Sequence, residues 1–336
     1  MLQRRRFLLA CFIFTFCFLP VSMAFAQSML KFYSGIGIRV FEEEDDERIE
    51  ELKEAIRLRL DFVLAYHGLS LSSIKFGQYV EPKGYSSHGL SYIKLERYAE
   101  AIESFKKALK LDPNFAEAYI GLGLVYGYLG CYEDAIKAFK EFIRLEPNCA
   151  EAYYNLGLSY AKLGRYENAI ETFRQAVRIR PDYKEANDNL ALSYYSIGVH
   201  YWELNQYSES VRAFKCAVEL KPDDINMLND LGSAYGKIGR YGEAIRIYRQ
   251  VNELKSDYAL AYYNLGVCYA KLERYVEASN ALEKAVELKP DHAKSRYGLG
   301  LVYLALGEEN FAIKQYKVLK NLDKDLANDL FIMINR

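Results

Sequence analysis

The fold is decided by the stretch Ala150–Tyr183, AEAYYNLGLSYAKLGRYENAIETFRQAVRIRPDY, because it recurs along the chain. Ala116–Cys149 and Ala259–His292 have the same length, 34 residues, and the same residue types at the same positions. Position 4 is an aromatic residue, position 7 leucine, position 8 glycine, positions 11 and 17 tyrosine, position 20 alanine and position 32 proline. Self-similarity at such a period is typical of stacked repeats rather than of a single globular core.

Each repeat is predicted to form two helices. Positions 4, 7, 8 and 11 share one helix face because they follow i, i+3, i+4, i+7 spacing, and positions 20, 24 and 27 do the same for a second helix. Gly157 and Ala169 are small, which lets the two helices approach closely. Gly164 suits the end of the first helix, where a left-handed residue closes it, and Pro181 ends the second.

The length and the aromatic, Leu-Gly, Tyr, Ala, Phe, Pro pattern resemble the tetratricopeptide repeat (TPR) family. The resemblance implies an all-α fold, a right-handed superhelical solenoid of antiparallel helix pairs. Seven repeats span residues 82–326, with first residues Pro82, Ala116, Ala150, Lys184, Ile225, Ala259 and Ala293. Residues 327–336 are predicted to be a capping segment, in which Leu330, Phe331 and Ile334 supply an apolar edge.

The fourth repeat, residues 184–224, is seven residues too long. Its first helix fits the pattern at Leu190-Ala191 and again at Ile197-Gly198. Seven residues are close to two helical turns, so the insertion lengthens the helix by roughly 10 Å and keeps its apolar face aligned. We expect one helix from about Lys184 to Leu204, with the extra length projecting past its neighbours. A local duplication without a functional role is the alternative.

The N-terminal part of the chain departs from the repeat pattern. Residues 1–26 are predicted to be a signal peptide, with Arg4, Arg5 and Arg6 before an apolar run and cleavage after Ala26. This predicts an exported protein, periplasmic or secreted. The alternative is an uncleaved anchor formed by residues 7–19, which would tether the chain to a membrane. Residues 27–81 are predicted to hold a tether and a degenerate, truncated repeat.

The composition and motifs argue against several functional classes. The net charge is −1, which provides no electrostatic footprint for nucleic acid or an anionic membrane surface. The four histidines lack metal-ligand spacing, and neither a nucleotide-binding loop after a strand nor a nucleophile elbow occurs. The sequence therefore predicts a non-catalytic protein, not an enzyme, with no cofactor and no metal.

In the resembled family, positions 2, 5, 6, 9, 12 and 13 usually face a concave groove formed by the first helices. Positions 5 and 9 form an apolar and aromatic stripe here: Ile120, Leu124, Tyr154, Leu158, Tyr263, Val267, Tyr297 and Leu301. Position 6 carries a ladder of Asn155, Asn189, Asp230 and Asn264. An amide both donates and accepts, which suits an extended peptide backbone. The alternative for the stripe is packing against neighbouring repeats.

These residues predict a scaffold that binds a protein or peptide segment in the groove. The lysine and asparagine that capture an acidic C-terminal carboxylate at positions 5 and 9 in some relatives are absent, so that ligand is not expected. The alternative function is a structural component of an envelope polysaccharide-export or protein-assembly machine.

Overall fold

The computed structural model describes residues 81–335. Over this range the backbone forms fifteen α-helices and no β-strand, which confirms the predicted all-α class. None of these helices is long and apolar enough to cross a membrane. The predicted signal peptide of residues 1–26 and the predicted truncated repeat before residue 81 lie outside the described residues.

The helices alternate along the chain as first and second members of pairs. Their bounds are α1 Pro82–Lys94, α2 Tyr98–Leu111, α3 Ala116–Tyr128, α4 Tyr132–Leu145, α5 Ala150–Lys162, α6 Tyr166–Ile179, α7 Lys184–Glu203, α8 Tyr207–Leu220, α9 Ile225–Lys237, α10 Tyr241–Leu254, α11 Ala259–Lys271, α12 Tyr275–Leu288, α13 Ala293–Ala305, α14 Glu309–Leu322 and α15 Lys324–Ile334.

The turn inside each pair follows from a left-handed residue. Gly164 has φ +70° directly after α5, as predicted for a glycine that closes a first helix. The following residue, Arg165, donates its backbone N–H to the Tyr160 carbonyl at 3.0 Å and so satisfies a free carbonyl of the last turn. In the fourth repeat Asn205 takes the same role with φ 59°, a conformation that asparagine tolerates better than most residues.

Close packing between the two helices of a pair depends on the glycine at position 8. A Cβ at Gly157 would lie 2.7 Å from ring carbons of Phe173, which is fully buried. The same arrangement recurs between Gly123 and Phe139 and between Gly198 and Phe214. Each second helix also packs on the first helix of the next repeat, and first helices of successive repeats contact one another. The core therefore runs along the array as a series of local clusters.

The predicted long helix is present as α7, which has 20 residues where the first helices on either side have 13. Leu190, in its first half, belongs to the buried cluster that contains Phe173 of α6. Gly198, in its second half, packs on Phe214 of α8. Each half of α7 therefore packs in its own repeat pattern, the first half on the preceding repeat and the second half on α8.

The C-terminal helix α15 covers the last pair. Leu330 is fully buried with Leu319 and Ala327, and its side chain fills the space over Gly300. Phe331 remains half-exposed and stacks on Tyr316, with 5.3 Å between ring centroids. The predicted capping segment lies within α15, which begins at Lys324.

Candidate functional site

The first helices make one continuous face of the array, because successive first helices contact one another and the Tyr195–Asp230 hydrogen bond joins α7 to α9. The structure places every predicted groove residue on this face, on helices α3, α5, α7, α9, α11 and α13, and each is half-buried: Ile120, Leu124, Tyr154, Asn155, Leu158, Asn189, Asp230, Tyr263, Asn264, Val267, Tyr297 and Leu301. We call this the first-helix face. Its role in binding stays a prediction.

The apolar stripe is held in place by packing on one side. Ile120, Leu124 and Leu158 lie against the buried cluster of the second and third repeats. The Tyr154 ring lies 5.9 Å from Phe173 and 5.1 Å from Tyr183. Packing between neighbouring repeats thus accounts for part of the stripe, and the half-exposed remainder is available at the surface. Partial burial also orders these side chains before any ligand arrives, which lowers the entropic cost of binding.

The stripe is less uniform toward the C-terminal repeats. The Tyr263 ring meets His292 edge-on at 5.2 Å, and burial raises the pKa of the Tyr263 hydroxyl. Tyr297 and Leu301 pack against the cluster that contains Leu330 of α15. The C-terminal end of the stripe is therefore partly covered by the capping helix.

Hydrogen bonds connect successive first helices at the level of the ladder. The Asn189 amide donates to the Tyr154 hydroxyl at 3.5 Å. The Tyr195 hydroxyl donates to the Asp230 carboxylate at 2.6 Å. The Asn264 amide donates to the Asn229 carbonyl oxygen at 3.4 Å. In each case, a residue at position 5 of one repeat meets position 6 of the next.

The ladder amides are more restricted than the sequence suggested. Asn155 and Asn189 each donate a side-chain N–H to a backbone carbonyl one turn earlier, of Glu151 and Glu185, at 2.8 Å. This fixes the two side chains. Both carbonyl oxygens remain as acceptors, and Asn155 keeps a second amide N–H, whereas both amide hydrogens of Asn189 are engaged because it also donates to Tyr154. The backbone N–H groups of an extended peptide can donate to the two carbonyl oxygens.

Two residues of this network were missing from the predicted site. Tyr195 bonds to Asp230, and burial followed by this hydrogen bond raises the pKa of the Tyr195 hydroxyl. Asn229 donates to the other oxygen of Asp230 at 3.3 Å and accepts from Asn264. Both stand at position 5, Tyr195 in the second of the two patterns that fit α7. Both residues would have been found if position 5 of the fourth and fifth repeats had been included in the predicted site.

Aromatic and basic side chains line one edge of the face. Trp202, in the last turn of α7, meets Tyr207 edge-on at 5.1 Å. The Lys237 ammonium lies 5.9 Å and 5.7 Å from the centroids of these two rings, within the range of a cation–π contact. Two further lysines, Lys162 and Lys271, end first helices in the same way and are exposed.

Between residues 81 and 335, no cluster of three or more histidine, cysteine or acidic side chains has an arrangement that could hold a metal. The four cysteines in this range, Cys131, Cys149, Cys216 and Cys268, are free thiols.

Comparison with known families agrees with the repeat pattern. Two models described as tetratricopeptide repeat match residues 122–184 with 195–251, and residues 259–292, and one described as TPR repeat matches residues 89–130 and 237–273. The chain belongs to the tetratricopeptide repeat family. The residues left unmatched between 184 and 195 fall inside α7, where the extra seven residues lie.

Solved structures with a similar fold include other TPR proteins. YrrB, a TPR protein with an unusual peptide-binding site, is 26% identical, with 58% of this chain and 96% of that chain covered and a TM-score of 0.39. MamA is 29% identical, with coverage of 53% and 93% and a TM-score of 0.40. Naa15/Naa10 bound to HypK-THB is 15% identical, with a TM-score of 0.54, and the match spans 75% of this chain and 38% of that one. No curated protein matches the sequence.

Proposed function

We propose that this chain is a non-catalytic scaffold that binds an extended protein segment along its first-helix face. The observation that carries the proposal is the pairing, on one face, of half-exposed apolar side chains with ordered amide oxygens. Tyr154 and Leu158 can take apolar side chains of a partner, while the carbonyl oxygens of Asn155 and Asn189 can accept from its backbone. The TPR fold itself supports a role in protein–protein interaction.

The binding proposal is tested with the full chain and a random library of displayed 16-residue peptides. Enriched peptides are synthesised, and their affinities are measured by fluorescence anisotropy. The variants Tyr154→Ala with Leu158→Ala, and Tyr263→Ala with Val267→Ala, should weaken binding at least tenfold because each removes buried apolar contact. Val276→Ala is the matched control, since Val276 is 60% exposed on the second helix α12.

Circular dichroism shows whether each variant keeps its helical content. Peptides that bind both double variants of the first-helix face as tightly as the unaltered chain would contradict the proposal. A library that yields no enriched peptide would do the same.

We also propose that the chain is exported and that residues 1–26 act as its signal peptide. The support is the sequence pattern of arginines, apolar run and Ala24-Phe25-Ala26. N-terminal sequencing of the chain recovered after expression in a bacterium should read from Gln27. An intact N-terminus in the membrane fraction would favour the anchor instead, and an intact chain in the cytoplasm would refute export.

A further inference from the structure

The ladder of the first-helix face is displaced along the helix axis at α7, and we call this displacement the step. Toward the preceding repeat, α7 uses Asn189, which meets Tyr154. Toward the next repeat it uses Tyr195, which meets Asp230. Asn189 takes position 6 of the pattern that starts at Lys184, and Tyr195 takes position 5 of the pattern that starts at Ala191. The two patterns start seven residues apart, so the ladder shifts by about 10 Å along the helix axis at 1.5 Å per residue. The repeats before and after α7 are therefore offset from one another.

The packing of α7 shows the same change of alignment. The Tyr195 ring lies 5.4 Å from Phe214, which repeats the 5.9 Å contact between Tyr154 and Phe173. The sequence agrees, because Ala191–Gly198, ALSYYSIG, matches Ala259–Gly266, ALAYYNLG, the start of an ordinary repeat. The second half of α7 is thus a complete first helix for the repeats that follow.

Asp230 lies directly after the step and is the charged member of the ladder. Its two hydrogen-bond partners, the Tyr195 hydroxyl and the Asn229 amide, are neutral. Among the described residues, no lysine or arginine forms an ion pair with it. Lys237 stands two turns further along α9, over the rings of Trp202 and Tyr207. A half-buried carboxylate without a countercharge favours a ligand that brings a positive group.

Building on the proposed function, we propose that the first-helix face binds a peptide with two anchors separated by the step. A basic side chain pairs with Asp230, and an apolar side chain packs on Tyr154 and Leu158. Between them the peptide crosses α7 beside Leu192, which is 47% exposed, and Val199. The peptide crosses two helix spacings of roughly 10 Å each and also shifts by about 10 Å along the helix axis. The diagonal path from α5 to α9 is therefore about 22 Å, or roughly seven extended residues.

The basic anchor is tested on enriched peptides from the 16-residue library. Asp230→Asn keeps the size of the side chain and removes its charge, so the affinity for peptides with lysine or arginine should fall about tenfold. Asp223→Asn is the matched control, since it removes the charge of an exposed carboxylate that lies before α9 and outside the first-helix face, and it should retain binding. Asp230→Lys should restore binding to a peptide in which the basic residue is replaced by glutamate.

The step is tested by deleting residues 184–190. The deletion joins Pro181-Asp182-Tyr183 to Ala191, which reproduces the junction before Ala259 and restores a 34-residue repeat that keeps Tyr195 opposite Asp230. Peptides selected by the unaltered chain should bind at least tenfold more weakly. Peptides with fewer residues between the two anchors should recover affinity. The optimal shortening is about one residue if the peptide crosses α7 diagonally and about three residues if it runs along the helix axis.

The outcomes separate this inference from the proposed function. Peptides that lose affinity in Tyr154→Ala but bind Asp230→Asn and the deletion variant normally would overturn the two-anchor peptide and leave the groove intact. Peptides that bind the variant Tyr154→Ala with Leu158→Ala normally would overturn the two-anchor peptide. Peptides that also bind the variant Tyr263→Ala with Val267→Ala normally would overturn the proposed function as well. If the deletion variant loses its helical signal, the charge exchange at Asp230 decides the proposal by itself.

Discussion

The same substitution, glycine to alanine, should have opposite effects at two positions of this array. Gly157 and Gly127 both lie inside first helices, where alanine is favoured over glycine by about 1 kcal/mol. At Gly157 the new Cβ would lie 2.7 Å from two ring carbons of Phe173, against an optimal separation of about 3.5–4.0 Å. Phe173 is fully buried, so its ring can move away only by displacing the side chains packed around it. At Gly127 the Cβ would meet nothing within 4 Å.

The expected magnitudes follow from these contacts. Overpacking a core costs about 1–3 kcal/mol, and the gain in helix propensity offsets about 1 kcal/mol of that cost, so Gly157→Ala should show a net loss of up to about 2 kcal/mol. Gly127→Ala should gain about 0.5–1 kcal/mol, the smaller figure because Gly127 is near the end of α3.

Urea unfolding followed by circular dichroism measures the two shifts. Because the stability of a repeat array is largely local, hydrogen exchange of the α5 and α6 amides should show the loss at Gly157 most directly. Gly236→Ala is a second control, since its Cβ also meets nothing within 4 Å. Equal stabilisation by Gly157→Ala and Gly127→Ala would refute the steric reasoning.

Two further predictions concern buried polar groups. Both amide atoms of Asn252 are buried without a hydrogen-bond partner, so Asn252→Val should raise the free energy of unfolding by about 1–2 kcal/mol in urea, with no gain for the exposed Asn226→Val. Burial raises the pKa of Cys268 to about 11, so Ellman's reagent at pH 8 should label exposed Cys131 rapidly and Cys268 only on unfolding. Since the pKa of the Cys268 thiol is raised from 9.0, the stability tied to its neutral form is present below about pH 9 and lost toward pH 11. Urea titrations across this range should show a smaller loss in Cys268→Ala, and identical pH dependence would contradict the assignment.

Much of the fold could be predicted because each helix is encoded by a pattern local in sequence. The spacing around Leu156 and Gly157 predicted a first helix, and α5 spans Ala150–Lys162. Gly164 predicted a left-handed turn, and its φ is +70°. The length of α7 also followed from the seven extra residues. The contacts of each half of α7 were not predicted, because the position of a helix beside its neighbours is set by contacts that the pattern does not contain.

The positions of the candidate-site residues on the first helices followed from the repeat pattern, their role in binding stays a prediction, and the hydrogen bonds between them could not be predicted. All twelve predicted side chains lie on the first-helix face, since the repeat position determines which way a side chain points. The hydrogen bond from Tyr195 to Asp230 joins residues 35 apart in sequence, and it was missed. The direction of the Asn155 amide, toward the Glu151 carbonyl, was missed as well because several rotamers suit an exposed asparagine.

The 34-residue period of apolar positions was enough to predict a row of antiparallel helix pairs, because one pair buries its apolar faces only by packing on its neighbours. The alignment of the two halves of the row became known from the packing of α7. Residues 184–203 fit the repeat pattern twice, and local sequence favours neither fit. Packing near Phe173 on one side and on Phe214 on the other selects one fit for each neighbour, and this produces the step in the ladder.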